Sequence, residues 1–246
     1  MGDPKVGTET STLGLPNRVE RALDQLLASF DTKLKDELVA VLAHGSTVRG
    51  GYDEATSDVD LVVVLENDAI EVLERVANDI ALARTSARIE CMLLRKGEIP
   101  RAADVFPLLF EDLGAEGIAL RGDNPFRGLR IEDDHRRLRI EQELRETRIR
   151  LRIAIADATA GLLRYEGLIG RKVRQIRSPL FALLQRSGHE SKRDLKSVVA
   201  AAGKHLGVDT SQLLRFRESP KEAMKALVAL LDAAIDHIDE PPGKAP

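Results

Sequence analysis

Apolar positions along the chain recur with two periods, and the change of period divides it. Val19, Leu23, Leu26, Leu27 and Phe30 fall three or four apart, the spacing of one helix face. Asn17 offers an N-cap for that helix, which runs from Arg18 to about Lys35. Leu38 to Ala43 is a continuous apolar run closed by His44-Gly45-Ser46, which predicts a strand and a tight turn. A short helix opening at Ser46 and a loop then lead to a second strand, Asp58-Val59-Asp60 followed by Leu61 to Leu65. Helical spacing returns at Ala69, Val72, Leu73, Val76, Ala77 and Ile80, with Asn67-Asp68 as the cap and an end near Thr85. Arg88 to Leu94 reads as a third strand with Glu90 as its polar position in an otherwise buried run. Ala102 to Leu113 reads as a helix broken at Pro107 with Phe106, Leu109 and Phe110 inward, and Gly117 to Leu120 as the last strand.

Beyond about Asp133 every segment is helical. His135 to Tyr165 carries Leu144, Leu151, Ile155 and Leu162 on one line and Ile149, Ile153, Ala156 and Leu163 on another, which predicts a helix central to a bundle. Helices over 170–186 (kinked at Pro179), 193–205 and 221–238 follow, with a short one at 213–216. The pattern predicts an α/β fold, a small mixed sheet with flanking helices at 17–125, followed by an all-α bundle at 126–240. Residues 1–16, polar and rich in Gly, Thr, Ser and Pro, read as a flexible arm.

Composition narrows the function more than the fold. At 246 residues, 31% charged and 43% apolar, the chain has the make-up of an ordinary globular protein. Aromatics make up 3% and tryptophan is absent, which argues against a sheet that stacks bases. Cys91 is the single cysteine, so neither an internal disulfide nor a cysteine-based zinc site is expected. No secretory leader or membrane span is legible, and a reducing cytoplasm is the expected location. The net charge of −3 hides an asymmetry: residues 1–125 hold 13 Lys+Arg against 23 Asp+Glu, a balance of −10, and residues 126–246 hold 24 against 17, a balance of +7.

The candidate chemistry lies between the first two strands. Side chains alternate along a strand, so Asp58 and Asp60 share one face while Val59 and Leu61 point away. A Gly-Ser turn faces them, and a glycine there lets backbone approach a ligand closely. Two carboxylates opposite such a turn can hold a divalent metal against a triphosphate. No Gly-Lys-Ser/Thr phosphate loop is present, so metal must do most of the phosphate holding.

His44-Gly45-Ser46, a gap of about a dozen residues and Asp58-Val59-Asp60-Leu61 resemble the signature of the DNA polymerase β-like nucleotidyltransferase superfamily. Gly45-Ser46-Thr47-Val48-Arg49-Gly50 with Ser57-Asp58 is most similar to its minimal and aminoglycoside-type members. The resemblance covers about residues 17–122. It implies transfer of a nucleoside monophosphate, most simply AMP from ATP, to an acceptor hydroxyl with release of pyrophosphate. By the same resemblance Gly45, Ser46, Arg49 and Ser57 bind nucleotide, and Asp58 and Asp60 bind Mg²⁺ or Mn²⁺. Glu90, on the third strand, matches by position the third acidic residue of the set, as metal ligand or general base. The alternative is a catalytically silent nucleotide-binding partner such as the antitoxin of a HEPN toxin. Arg130 and His135 are spaced as in the ribonuclease motif of HEPN helical domains, but Ile131 stands where that motif carries a polar residue.

His44 reads as a packed strand-end residue, and the other four histidines as scattered surface residues. Arg171, Arg174 and Arg177 recur every three residues on one predicted helix, which makes the basic half a candidate anion site. The expected acceptor is therefore anionic, RNA or a phosphorylated metabolite, or else a protein, rather than an aminoglycoside. A homodimer is compatible with the sequence, and no membrane partner is expected.

Overall fold

Two runs rich in β-branched and aliphatic residues, Leu38–His44 (β1) and Val59–Leu65 (β2), pair antiparallel with Ala43 opposite Leu61 and His44 opposite Asp60. The computed structural model of the protein describes residues 10–50, 52–54 and 57–239, and the chain divides into two compact units between Ile131 and Glu132. In the first unit Ile89–Arg95 (β3) adds parallel to β2, and Ile118–Arg121 (β4) adds antiparallel to β1. The order is β3-β2-β1-β4, a small mixed sheet. A parallel pair needs a crossover, and Ile70–Ala87 (α2) supplies it between β2 and β3.

The two central strands are apolar on both faces because both faces are covered. Val41, Ala43, Leu61, Val63 and Leu65 point into a core shared with Leu23, Leu27 and Phe30 of α1 (Asn17–Lys33) and with Val72 and Val76 of α2. Ala40, Leu42, Val62 and Val64 point the other way, onto Phe110 and Leu113 of α4 (Pro107–Glu116) and onto Phe126. Phe110 and Phe126 stack at 4.9 Å between ring centroids. Leu23, Leu27 and Phe30 are at most 1% exposed, so each contributes about 1.5–3 kcal/mol of apolar burial.

Several local expectations are corrected. Asn17 is the first helical residue rather than the cap, which is Pro16 with no side-chain hydrogen bond. The arm is ordered from Thr10: Thr10–Leu13 is a 3-10 turn, Leu13 and Leu15 join the core, and the Thr10 hydroxyl donates to Asp24 at 2.6 Å. Its earlier residues, 1–9, lie outside the described residues. Ser46 opens a turn and not a helix. Gly45 and Gly50 both take positive φ, 75° and 73°, and the β-branched Thr47 and Val48 between them do not propagate helix. Strand β3 is an edge, with Met92 41% and Leu93 37% exposed, so it is not a buried strand. Phe106, expected inward, is 38% exposed because Pro107 begins α4 and leaves it outside the helix; α3 (Ile99–Ala102) is a single turn.

The second unit is all-helical: α5 (Asp133–Thr159), α6 (Tyr165–Gln175), α7 (Arg177–Arg186), α8 (Leu195–Leu206) and α9 (Pro220–Asp239). Helix α5 packs on α7 and α9, buries Ile140, Leu144, Thr147 and Leu151, and pairs Arg148 with Asp232 at 2.7 Å. Its second expected apolar line stays exposed at Ile149 and Ile153. The kink assigned to Pro179 falls at Ile176, since a proline in the first turn of α7 collides with the preceding turn rather than its own. Asp194 caps α8 by accepting from the Ser197 N–H at 2.9 Å, and Gly207 ends it at φ 69°. No helix among the described residues is long and apolar enough to cross a membrane.

Three of the histidines expected to be scattered meet in this unit. The His189 and His205 rings lie 4.1 Å apart between centroids and the His205 and His237 rings 4.8 Å apart. The Nε2 atoms of His205 and His237 are 3.4 Å apart, and Ser187 Oγ lies 3.0 Å from His237 Nε2. Burial, then the His189 and His237 rings, hold His205 below the usual imidazole range. A group whose folded pKa is depressed adds stability above its unfolded value, about 6.5, and loses it as pH falls through the folded value. Thermal melts are therefore expected to fall between pH 7.5 and 5.5 by more in the wild-type protein than in His205→Gln; equal falls would count against the cluster as the source.

Candidate active site

The sheet register places the acidic residues. Asp60 lies opposite His44 on β1 and opposite Glu90 on β3, so the three occupy one row across three strands. Asp58 sits one residue before β2, where the Val59 N–H already donates to the Arg88 carbonyl at 2.9 Å. The alternation expected along the strand gives Asp58 and Asp60 a shared face, and their charges interact. Burial first, then Asp58, pushes the Asp60 carboxyl up to about 6; Glu90 adds to the rise and Arg49 opposes it.

Gly45 is buried at φ 75°, and a Cβ built on it would stand 2.6 Å from Asp60 Oδ2. The turn thus touches the acidic row, and only glycine fits the contact. Ser46 is half-buried beside it. Thr47 is 4% exposed, and its hydroxyl has no hydrogen-bond partner among the described residues. Ser57 is engaged in its own loop: its N–H donates to the Asp53 carbonyl at 2.7 Å and its Oγ accepts from the Asp53 N–H at 3.0 Å.

Arg49 is ion-paired to α4. Its Nη1 lies 3.3 Å from Glu116 Oε2 and 3.7 Å from Asp112 Oδ2, both on α4. Its charge still reaches the row, since it lowers the pKa of both Asp60 and His44. Burial first, then Arg49, depresses His44 to about 4, with Asp112 opposing, so His44 is a neutral imidazole at pH 7. Burial, then Glu90, pushes the Cys91 thiol up to about 12, which leaves it unreactive.

Two arginines that sequence reading passed over complete the site. Arg88 Nε donates to Asp58 Oδ1 at 2.8 Å, and Arg84 Nε donates to Glu90 Oε2 at 2.9 Å. Arg84 lies in the last turn of α2 and Arg88 caps it in the left-handed region at φ 54°. No group of three or more His, Cys, Asp and Glu side chains among the described residues is drawn together as a ready metal cage; Arg84 and Arg88 engage Glu90 and Asp58 instead. The donor chemistry nevertheless fits a divalent cation. The donors are hard carboxylate oxygens, burial and then the Asp58 charge raise Asp60, and the absence of a Cβ at Gly45 is what leaves Asp60 Oδ2 unobstructed.

Residues 23–105 match the family described as nucleotidyltransferase domain, a span that takes in β1, the Gly45 turn, Asp58, Asp60 and Glu90. This segment is a nucleotidyltransferase domain of the polymerase β-like kind. Among solved structures, spectinomycin adenyltransferase AAD(9) from Enterococcus faecialis, crystallised with ATP and spectinomycin, is similar over 89% of this chain and 99% of that one. The TM-score is 0.54 and the identity 10%, so the likeness is one of fold: a nucleotidyltransferase domain followed by a helical one. No curated protein matches the chain in sequence. The chain accordingly carries a nucleotidyltransferase domain at residues 23–105.

Proposed function

We propose that the domain transfers AMP from ATP to an acceptor hydroxyl and releases pyrophosphate, with Mg²⁺, or Mn²⁺ in its place, held by Asp58, Asp60 and Glu90. The observation that carries this reading is the packing of Gly45 on Asp60 in a row continued by Glu90. The adenyltransferase of similar fold, solved with ATP, supports the choice of nucleotide. Bound at the carboxylates, the metal supplies neutralisation of phosphate charge and a fixed position for the attacking and leaving oxygens.

The chain's own residues supply binding and proton transfer. Gly45 brings the turn backbone close, and the Ser46 and Thr47 groups are available to the phosphates. Ser57 keeps the loop before Asp58 in place. Arg49, ion-paired to α4, adds positive charge beside the row and binds the nucleotide phosphates together with the Gly45-Ser46 turn. Glu90, on the edge strand with its side chain 45% exposed, can meet an incoming hydroxyl and take its proton as general base. Glu90→Gln is expected to keep ATP affinity and to slow turnover about 10²–10⁴-fold. A full rate in that variant with a confirmed acceptor would leave Glu90 a structural residue.

The deciding experiment is pyrophosphate release with Mg²⁺ and each NTP, with and without cell extract, followed by acceptor labelling from α-labelled ATP. ATP- and metal-dependent release with label in an acceptor is expected. Nucleotide binding with no release and no label would favour the silent-partner reading instead.

The acceptor is proposed to be anionic. Burial first, then Arg150 and Arg171, lowers the pKa of Lys172, with only Glu146 opposing, so positive charge is in excess where α5 and α6 meet. This replaces the expected Arg171–Arg174–Arg177 stripe. Arg177 begins a new helix, is 7% exposed and donates to the Arg193 carbonyl at 3.0 Å. Replacing Arg150, Arg171 and Lys172 together by Ala is expected to raise the acceptor KM several-fold at low salt, with the defect shrinking at high salt. Efficient adenylylation of kanamycin or streptomycin would overturn the anionic assignment.

A further inference from the structure

Within the proposed metal-dependent reading of the acidic row, we infer that Arg84 and Arg88 set its affinity for divalent cation. The two guanidinium groups occupy the carboxylates of Glu90 and Asp58 until nucleotide phosphate takes them over. Arg88 pairs with Asp58 at 2.8 Å and Arg84 with Glu90 at 2.9 Å. Both arginines come from the end of α2, one from its last turn and one from its cap. Asp60, between the two paired carboxylates, has no ion pair of its own among the described residues. The row therefore holds partly compensated negative charge, and a cation entering it competes with the guanidinium groups for the same oxygens.

Two observations set these pairs apart from simple structural bridges. All four side chains are 45–53% exposed, and ion pairs that open to water add little to stability. Such pairs exchange partners at low cost. The backbone of Arg88 also takes the left-handed conformation, at φ 54°, that glycine adopts without strain and an arginine does not. Its N–H closes α2 on the Ala83 and Arg84 carbonyls and its own carbonyl accepts from Val59. Any residue performs those backbone tasks, and glycine would perform them more cheaply. The arginine side chain at this position is thus set toward the acidic row at a cost to the helix end. Guanidinium groups released there suit phosphate oxygens, which they bind by paired hydrogen bonds. Cation and nucleotide then favour each other's binding, and by linkage the coupling is the same in both directions.

The test uses the full chain and Mn²⁺ titrated by electron paramagnetic resonance, with and without a non-transferable α,β-methylene analogue of ATP. In the wild-type protein Mn²⁺ is expected to bind weakly alone and more tightly with the analogue. In Arg84→Gln with Arg88→Gly, Mn²⁺ alone is expected to bind roughly threefold to tenfold more tightly, and the gain from the analogue to shrink. The Arg88→Gly single variant is expected to melt no lower than wild type, which separates a charge effect from a folding defect. Unchanged or weaker Mn²⁺ binding in the double variant, with wild-type binding intact, would overturn the role of the arginines alone. Absence of Mn²⁺ binding in every protein, or binding unaltered by Asp60→Asn, would overturn the metal reading of the acidic row and this inference with it.

Discussion

Asp60→Asn is expected to abolish nucleotidyl transfer while leaving the protein folded and slightly more stable. The carboxylate stands in the middle of the row with Gly45 packed on one oxygen, and burial first, then the Asp58 charge, pushes its pKa up to about 6. If the row holds the phosphates through metal as proposed, loss of one carboxylate removes several kcal/mol of transition-state stabilisation, about 10³-fold or more in rate. The same substitution removes a charge that the fold holds at a cost. The folded pKa of Asp60 lies above its unfolded value, so at pH 7–8 the ionised group destabilises the native state. Asparagine relieves that by on the order of 1 kcal/mol, allowing for the water that reaches the side chain. The measurements are turnover by pyrophosphate release and thermal melts at pH 7.5. Near wild-type turnover would remove Asp60 from the site, and a lowered melting temperature would contradict the argument from burial and repulsion.

Gly45→Ala is expected to damage both stability and activity. At φ 75° an alanine costs about 1–2 kcal/mol in backbone strain, before any contact is considered. The added Cβ would then stand 2.6 Å from Asp60 Oδ2, so either the turn retreats or the carboxylate rotates out of its row. Gly50→Ala is the control. It has nearly the same φ, 73°, but a Cβ there meets nothing within 4 Å. Both variants are expected to melt several degrees lower, and Gly45→Ala alone to lose at least 10²-fold in turnover. Equal activity in the two variants would show that the contact with Asp60 does not matter to the reaction.

The order of helices and strands follows from the pattern of residues alone, because the apolar period changes from 3.6 to continuous runs and back within a few residues. Leu38–His44 and Val59–Leu65 were legible as strands because they are buried on both faces and so carry no polar interruption. The Gly45-Ser46 turn and the Asp58/Asp60 pair were legible because their geometry is local: one glycine, and one repeat of a strand. Glu90 was found only through the family resemblance, and the parallel register of β3 on β2 is what puts it beside Asp60.

The rest depended on contacts between residues far apart in the chain. Nothing near Arg49 in the sequence announces its partners Asp112 and Glu116, which share one face of α4 more than sixty residues away. Arg88 and Asp58 are thirty residues apart, and His205 and His237 thirty-two. Arg177 looked like the third member of a basic stripe until the break at Ile176 turned it inward. Helix and strand periods report which face of an element is buried. Ion pairs and imidazole contacts between elements are fixed by how those faces pack, so only the tertiary structure decided them.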